Sequence, residues 1–212
     1  MLKCRYREFV RRSGYEVPTY NGMEYDQYDT PAAVYLTWRD EHQNLRAGIR
    51  MKPTNRAYMI RDLWPQTVKD VEIPDSSTIW EVSRLFVERD MPSDLRHQAH
   101  GEILCGLLEF GLHHGVTDYI AIASPHLWQH TFRKCGWPAT PIRPVVDIGY
   151  SEKVQTCMMR VCEDFLRNVQ NTMDIHYSVV PPAFWDTTAS ILVDQQRTIA
   201  KPSAPSQYQG KP

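Results

Sequence analysis

The chain has 212 residues, 42% hydrophobic and 23% charged, with a formal net charge of −1. This is the composition of one ordinary globular domain long enough to bury a core, which excludes a disordered or fibrous chain and a globally basic nucleic-acid binder. The five cysteines (Cys4, Cys105, Cys135, Cys157 and Cys162) form no Cys-x-x-Cys pair. They argue against a disulfide framework and for a reducing, cytoplasmic setting.

The opening residues lack the apolar stretch of a signal peptide, and no run approaches the ~18 apolar residues of a membrane span. Residues 6–13 read as an amphipathic helix stopped by Gly14. Residues 16–31, with Pro18, Asn21-Gly22 and an acidic, aromatic run, read as an ordered loop. Residues 33–38 and 45–51 read as hairpin partners around a polar turn, with Pro53 ending the second. A short helix is expected at 58–63. The strongest strand is 78–87.

A helix follows over about 96–114, where Ile103, Leu104, Leu107, Leu108 and Leu112 recur at helical spacing before Gly115. Residues 119–123 read as a strand and 127–135 as a helix closed by Gly136. Strands are expected at 142–148 and 154–161, and a helix at 163–171. The alternation predicts an α/β fold, a mixed sheet flanked by helices. Residues 1–174 are expected to form the domain, and 175–212, with Pro181-Pro182 and a polar, proline-bearing end, a loosely ordered tail.

Six charged residues carry the chemistry: Asp26, Asp29, Glu81, Arg5, Arg50 and Arg84. Glu81 sits inside the apolar strand Ile79–Val87, on one face with Ile79, Ser83 and Leu85. A carboxylate there costs several kcal/mol unless paired, on the order of the buried-charge penalty. Desolvation raises its pKa, which suits a general base near neutral pH. Arg84, three residues on, falls on the opposite face of an ideal strand, and only a bulge or bend brings the two into one site. The six charges sum to zero, so a set of salt bridges tying loop to sheet is the competing reading.

Four segments resemble the motifs of the acyl-homoserine-lactone synthases, or autoinducer synthases, in the same order and at similar spacings. They are Arg5-Tyr6-Arg7-Glu8-Phe9-Val10; Met23-Glu24-Tyr25-Asp26-Gln27-Tyr28-Asp29; Gly48-Ile49-Arg50-Met51-Lys52-Pro53-Thr54 with Tyr58-Met59-Ile60; and Trp80-Glu81-Val82-Ser83-Arg84-Leu85-Phe86-Val87. The resemblance covers about residues 5–165 and includes Lys134-Cys135-Gly136-Trp137-Pro138. It implies an N-acetyltransferase-like sheet with a V-shaped acyl-donor cleft, S-adenosylmethionine as a substrate rather than a cofactor, and acyl carrier protein or acyl-coenzyme A as the acyl donor. The signature positions fall on Arg5, Phe9, Asp26, Asp29, Arg50, Glu81 and Arg84. Three departures stand out. The family's opening strand, ahead of the position of Arg5, is expected to be missing. Tyr15 replaces a tryptophan. Ala121 or Ile122 stands where a threonine accompanies 3-oxo-acyl products.

The implied reaction has two parts. The substrate amine attacks the acyl thioester; the methionyl carboxylate then closes the lactone and expels methylthioadenosine. Glu81 is the candidate base. Arg5 is the first choice for the carboxylate, which arginine binds bidentately. Asp26 and Asp29 then order Arg50 and Arg84 or face the sulfonium and amine. Phe9 and Tyr15 line the substrate pocket. Leu104, Leu107, Ala121, Ala123 and Met158 are the acyl-pocket candidates, with plain core packing as the alternative for each. Arg133, Lys134, Arg143 and Lys153 are the candidate docking patch for an acidic carrier.

No metal is expected. His126 and His130 stand at i, i+4 without a glutamate between them, no cysteine has zinc spacing, and no glycine-rich phosphate loop is present. Two rivals stay open: an acyltransferase of the same fold that acylates an amine without lactonising, and a non-catalytic acyl-carrier-binding domain.

Overall fold

The computed structural model describes residues 1–148 and 153–181, and Met1–Val180 form one compact unit. The chain opens with helix α1 (Leu2–Arg5), which continues as wide π-turns over Tyr6–Arg12 until Gly14 turns the backbone at φ 72°. The stretch expected as a loop contains a small hairpin, β1 (Thr19–Tyr20) and β2 (Met23–Glu24). Its two-residue turn is Asn21-Gly22, with φ 49° and 70°, the positive values that a tight hairpin turn requires.

Among the described residues the main sheet has seven strands. β3 (Val34–Arg39) and β4 (Leu45–Pro53) form the predicted hairpin, and β5 (Ile79–Val87) lies antiparallel to β4. β6 (Asp118–Ala123) is parallel to β5, and β9 (Lys153–Arg160) is antiparallel to β6. Short strands β7 (Thr140–Pro141) and β8 (Val146–Asp147) both pair with β9. The single long strand expected over 142–148 is thus broken into pieces. Pro141 and Pro144 lack the N–H that a continuous ladder uses.

The helices divide between the two faces. On one face lies α3 (Ser93–His113), whose interior half is buried and apolar nearly all round. Tyr119 donates its hydroxyl to the Leu107 carbonyl at 2.8 Å, and Trp80 meets Phe110 edge-on at 5.4 Å. α5 (Glu163–Met173) packs beside α3, where Gly111 lets the chain come close: a Cβ there would lie 2.9 Å from Val161. On the opposite face α2 (Met59–Leu63) and the turn Pro65–Val68 cover a cluster of Tyr58, Ile60, Val68 and Ile120. The helix expected over 127–135 begins as α4 (Pro125–Leu127), widens into π-turns over Trp128–Phe132 and tightens over Arg133–Cys135. Gly136 ends it at φ 90°.

Residues 175–180 stay on the domain. Ile175 is buried, and the Val179 and Val180 amides donate to the Glu109 carboxylate at 3.1 and 3.0 Å. Most of the expected C-terminal tail, from 182 onward, lies outside the described residues. Among the described residues no helix is long and apolar enough to cross a membrane.

Candidate active site

Two irregularities in β5 build the site. The first is a bulge. Gly48 faces Phe86 and Arg50 faces Ser83, so Arg84 and Leu85 together oppose Ile49. Arg84 takes φ 57°, a left-handed conformation that non-glycine residues enter at a cost of roughly 1–2 kcal/mol. The extra residue swings the Arg84 side chain off the face that strict alternation assigns it, onto the α2 side with Glu81. The second is a divergence: β5 and β6 pair only over Ile79–Glu81 and Asp118–Ile120, then part. A V opens between two strand edges beside the bulge.

The charged residues converge on this α2 side. Arg5, fully buried, donates Nε to Glu24 and Nη1 to Asp29 at 2.6 Å. Arg50, equally buried, gives Nη1 to Asp26 at 2.6 Å and to Asp29 at 3.0 Å, with Nε on the Ser83 hydroxyl at 3.1 Å. Arg84 reaches Asp26 at 2.8 Å and Glu24 at 3.2 Å. The Tyr35 hydroxyl also donates to Asp29, and Asp29 accepts the Asp26 amide at 2.8 Å. Desolvation works against ionisation of both aspartates, yet the arginine bonds outweigh it. Asp26 and Asp29 are held below the ordinary carboxylate range, and Arg5 and Arg50 above the ordinary guanidinium value.

Glu81 stands apart from that lattice. It is buried, and its carboxylate accepts the backbone amides of Ile60 at 2.7 Å and Met59 at 3.1 Å, filling the cap position of α2 from a neighbouring strand. Burial pushes its carboxyl up, and the two amide bonds offset part of that rise. Arg84 closes the ring by reaching the Met59 sulfur at 3.3 Å.

Sequence reasoning missed Glu24, which is fully buried and bridges Arg5 to Arg84. The Asn21-Gly22 hairpin signal was the available clue, since it aims the next strand and its acid inward. Tyr35 and Ser83 were missed as well. Phe9 and Tyr15 stack at 6.1 Å on the edge of the network, with the Arg84 guanidinium 5.9 Å from the Phe9 ring. Arg5 Nη2 is a buried donor with no hydrogen-bond partner among the described residues.

The acyl-pocket candidates separate. Leu104 and Leu107 lie fully buried on α3, and Ala121 and Ala123 sit on the same side, because Tyr119 of that strand bonds α3. Met158 faces the other way, opposite Ile120 in the ladder and packed on the Tyr58–Ile60–Val68–Ile120 cluster. Of the basic docking candidates, Arg133, Lys134 and Lys153 are exposed, and Arg143 faces Asp70 at 3.6 Å. Among the described residues no group of three or more His, Cys, Asp or Glu side chains is placed to hold a metal ion.

Residues 1–167 match the family model described as autoinducer synthase. The chain belongs to the autoinducer synthase family. An acyl-homoserine-lactone synthase of Ralstonia solanacearum is 33% identical over 150 residues, covering 68% of this chain and 73% of that protein. Among solved structures, the coenzyme A-dependent acyl-homoserine lactone synthase BjaI, with SAM and isopentyl-CoA, superposes with a TM-score of 0.74 at 22% identity, over 83% of this chain and 81% of its own. The same sheet extends to an N-acetyltransferase of Lactobacillus plantarum, at a TM-score of 0.51 and 14% identity over 75% and 87% of the two chains. The expected N-acetyltransferase-like mixed sheet is therefore borne out. This autoinducer synthase is an acyltransferase that makes acyl-homoserine lactone signals.

Proposed function

We propose that this synthase acylates the amine of S-adenosylmethionine from a carrier thioester in the β5–β6 opening, then lactonises the product and releases methylthioadenosine. One observation carries the reading: the strand divergence lies on the bulged strand that delivers Arg84 and Glu81 to one side of the sheet. An extended pantetheine arm fits between parting strand edges, where backbone groups left unpaired by the ladder are free to bind its amides.

Each side chain then has a task. Glu81, fixed by two amides, takes the proton that the attacking amine must lose, directly or through one water. Arg5 offers the unpartnered Nη2 to the substrate carboxylate while Glu24 and Asp29 hold the rest of its guanidinium. Asp26 and Asp29 fix Arg50 and Arg84 and set a negative field for the sulfonium. Phe9 and Tyr15 wall the nucleoside.

The acyl tail runs through the opening. Ala121 and Ala123 border it on the α3 side with Leu104 and Leu107 behind them, and Met158 packs on the Tyr58–Ile60–Val68–Ile120 cluster on the α2 side. S-adenosylmethionine enters as a substrate, and no bound cofactor turns over. Arg133, Lys134, Arg143 and Lys153 meet the phosphates or acidic surface of the donor, whether acyl carrier protein or acyl-coenzyme A. The site of action is the cytoplasm, in keeping with the five free cysteines.

The test is purified protein with S-adenosylmethionine and a panel of acyl thioesters, read by mass spectrometry. Acyl-homoserine lactone with stoichiometric methylthioadenosine is the expected result. An acylated amine without methylthioadenosine would replace this reading with simple acyl transfer. Binding without any product would replace it with a carrier-binding domain.

A further inference from the structure

Lys52 sits on β4 directly across the ladder from Glu81. Antiparallel cross-strand partners share a face, with Cβ atoms about 4.5–5.5 Å apart. Lys52 is only 3% exposed, which is unusual for a lysine. Its ammonium donates to the Thr30 hydroxyl at 3.1 Å and to the Tyr28 carbonyl at 3.4 Å, and lies 5.5 Å from the centre of the Tyr28 ring. Among the described residues no carboxylate lies within ion-pair distance of it. Arg5, Arg50 and Arg84, by contrast, are each joined directly to acids. Lys52 and Glu81 are therefore two buried groups of opposite charge on one rung. Each is hydrogen-bonded by neutral groups only, and neither belongs to the arginine–acid lattice.

We propose that Lys52 is a positioning residue for acyl transfer: it ties residues 28–30 to the sheet, and its charge keeps Glu81 ionised to accept the amine proton. The inference rests on Glu81 as the base. The tie acts on the segment that carries Asp29 and follows Asp26, so it also sets where the acids meet Arg5 and Arg50. The charged and titratable groups around the pair are Arg50 from β4, Arg84 from β5, Asp26, Asp29 and Tyr28 from the loop, and Tyr58 from the α2 segment, with Asp62 beside the two tyrosines. Burial pushes the Lys52 amine down and the Glu81 carboxyl up, the directions expected of charges short of a direct partner. The Glu81 charge opposes the fall at Lys52, and Arg50 opposes the rise at Glu81; removal of the Lys52 cation is expected to push the Glu81 carboxyl further toward its neutral form.

The experiment is the pH profile of kcat for methylthioadenosine release in wild type, Lys52→Met, Lys52→Arg and Glu81→Gln, with thermal melting as a check on folding. Lys52→Met is expected to move the acid limb upward by about one pH unit, for loss of a buried cation on the facing rung that makes no direct ion pair. Lys52→Arg, which keeps the charge, is expected to restore it. An acid limb unmoved in Lys52→Met, or moved equally in Lys52→Arg, overturns the proposal. If Glu81→Gln keeps the wild-type limb, the assignment of Glu81 as base fails instead. Should Lys52→Met not fold, Lys52→Gln carries the same test.

Discussion

Replacing Glu81 by glutamine separates its two tasks, capping α2 and accepting a proton. Both carboxylate oxygens are in use, on the Ile60 and Met59 amides at 2.7 and 3.1 Å. Glutamine offers one oxygen, so one buried amide faces an NH2 group and loses its acceptor. An unsatisfied buried amide costs about 1–3 kcal/mol, and removal of a buried charge returns part of that. A net loss of about 1–2 kcal/mol corresponds to a fall in Tm of roughly 3–6 °C for a domain of this size. The pH dependence has a defined sign. The folded-state pKa of Glu81 is raised, so its contribution to wild-type stability is fullest below the unfolded carboxylate pKa and shrinks as pH rises through the folded value. Glutamine carries no such dependence, and the deficit of the variant therefore narrows toward neutral pH. Turnover, measured as methylthioadenosine release well below the melting temperature, is expected to fall about 10²–10⁴-fold for loss of a general base. A variant that shows the stability loss but keeps turnover within a few-fold would refute the role of Glu81 as base and leave it a capping residue.

Asp26→Asn leaves Arg50 and Arg84 short of a buried anion and is expected to cost about 3–5 kcal/mol, measured by denaturant unfolding. Asp29 has a depressed folded pKa. The stability difference between wild type and Asp29→Asn should therefore be complete above the ordinary aspartate value near 3.9 and vanish as pH falls through the lower folded value, as acid-unfolding curves would show. Arg84→Gly is expected to be more stable than Arg84→Ala by about 1 kcal/mol, because only the alanine retains the left-handed strain; both lose activity with the Glu24 and Asp26 contacts. Equal denaturant midpoints for the two would remove the strain from the account.

The regular part of this fold was legible because its signals are local. β4, β5 and α3 follow from alternation and from a helical repeat of leucines, and the observed ends lie within a few residues of those expected. The buried Glu81 was legible for the opposite reason, as a polar residue in an apolar strand. Arg84 was legible only as a condition, since alternation put it on the wrong face and nothing local announces a bulge at Ser83-Arg84-Leu85. Glu24 was hidden because an acid in an acidic stretch reads as solvated until the hairpin turns it inward. The π-turns at Tyr6–Arg12 and Trp128–Phe132 have no propensity signature separate from an α-helix. Met158 was grouped with Leu104 and Leu107, although the sheet lies between them. Which face a strand residue presents depends on its neighbours in space, here β6, and not on its own sequence.

The bulge makes the length of β5 part of the site, because one extra residue decides which face Arg84 presents. Deleting a residue between Ser83 and Phe86 would remove the bulge and leave one residue opposite Ile49, with Gly48 still opposite Phe86 and Lys52 still opposite Glu81. Glu81 would keep its face, but the residue left opposite Ile49 would turn toward α3, and the arginine that reaches Glu24 and Asp26 would leave the site. Such a chain would keep nearly the same composition and hydrophobicity and lose one corner of its charged network. Relatives of this protein can therefore be sorted by a ruler before chemistry is considered. Those that retain the extra residue between the acid and the far end of this strand keep the bulge that turns an arginine to the α2 side, and those without it are expected to place that residue toward α3.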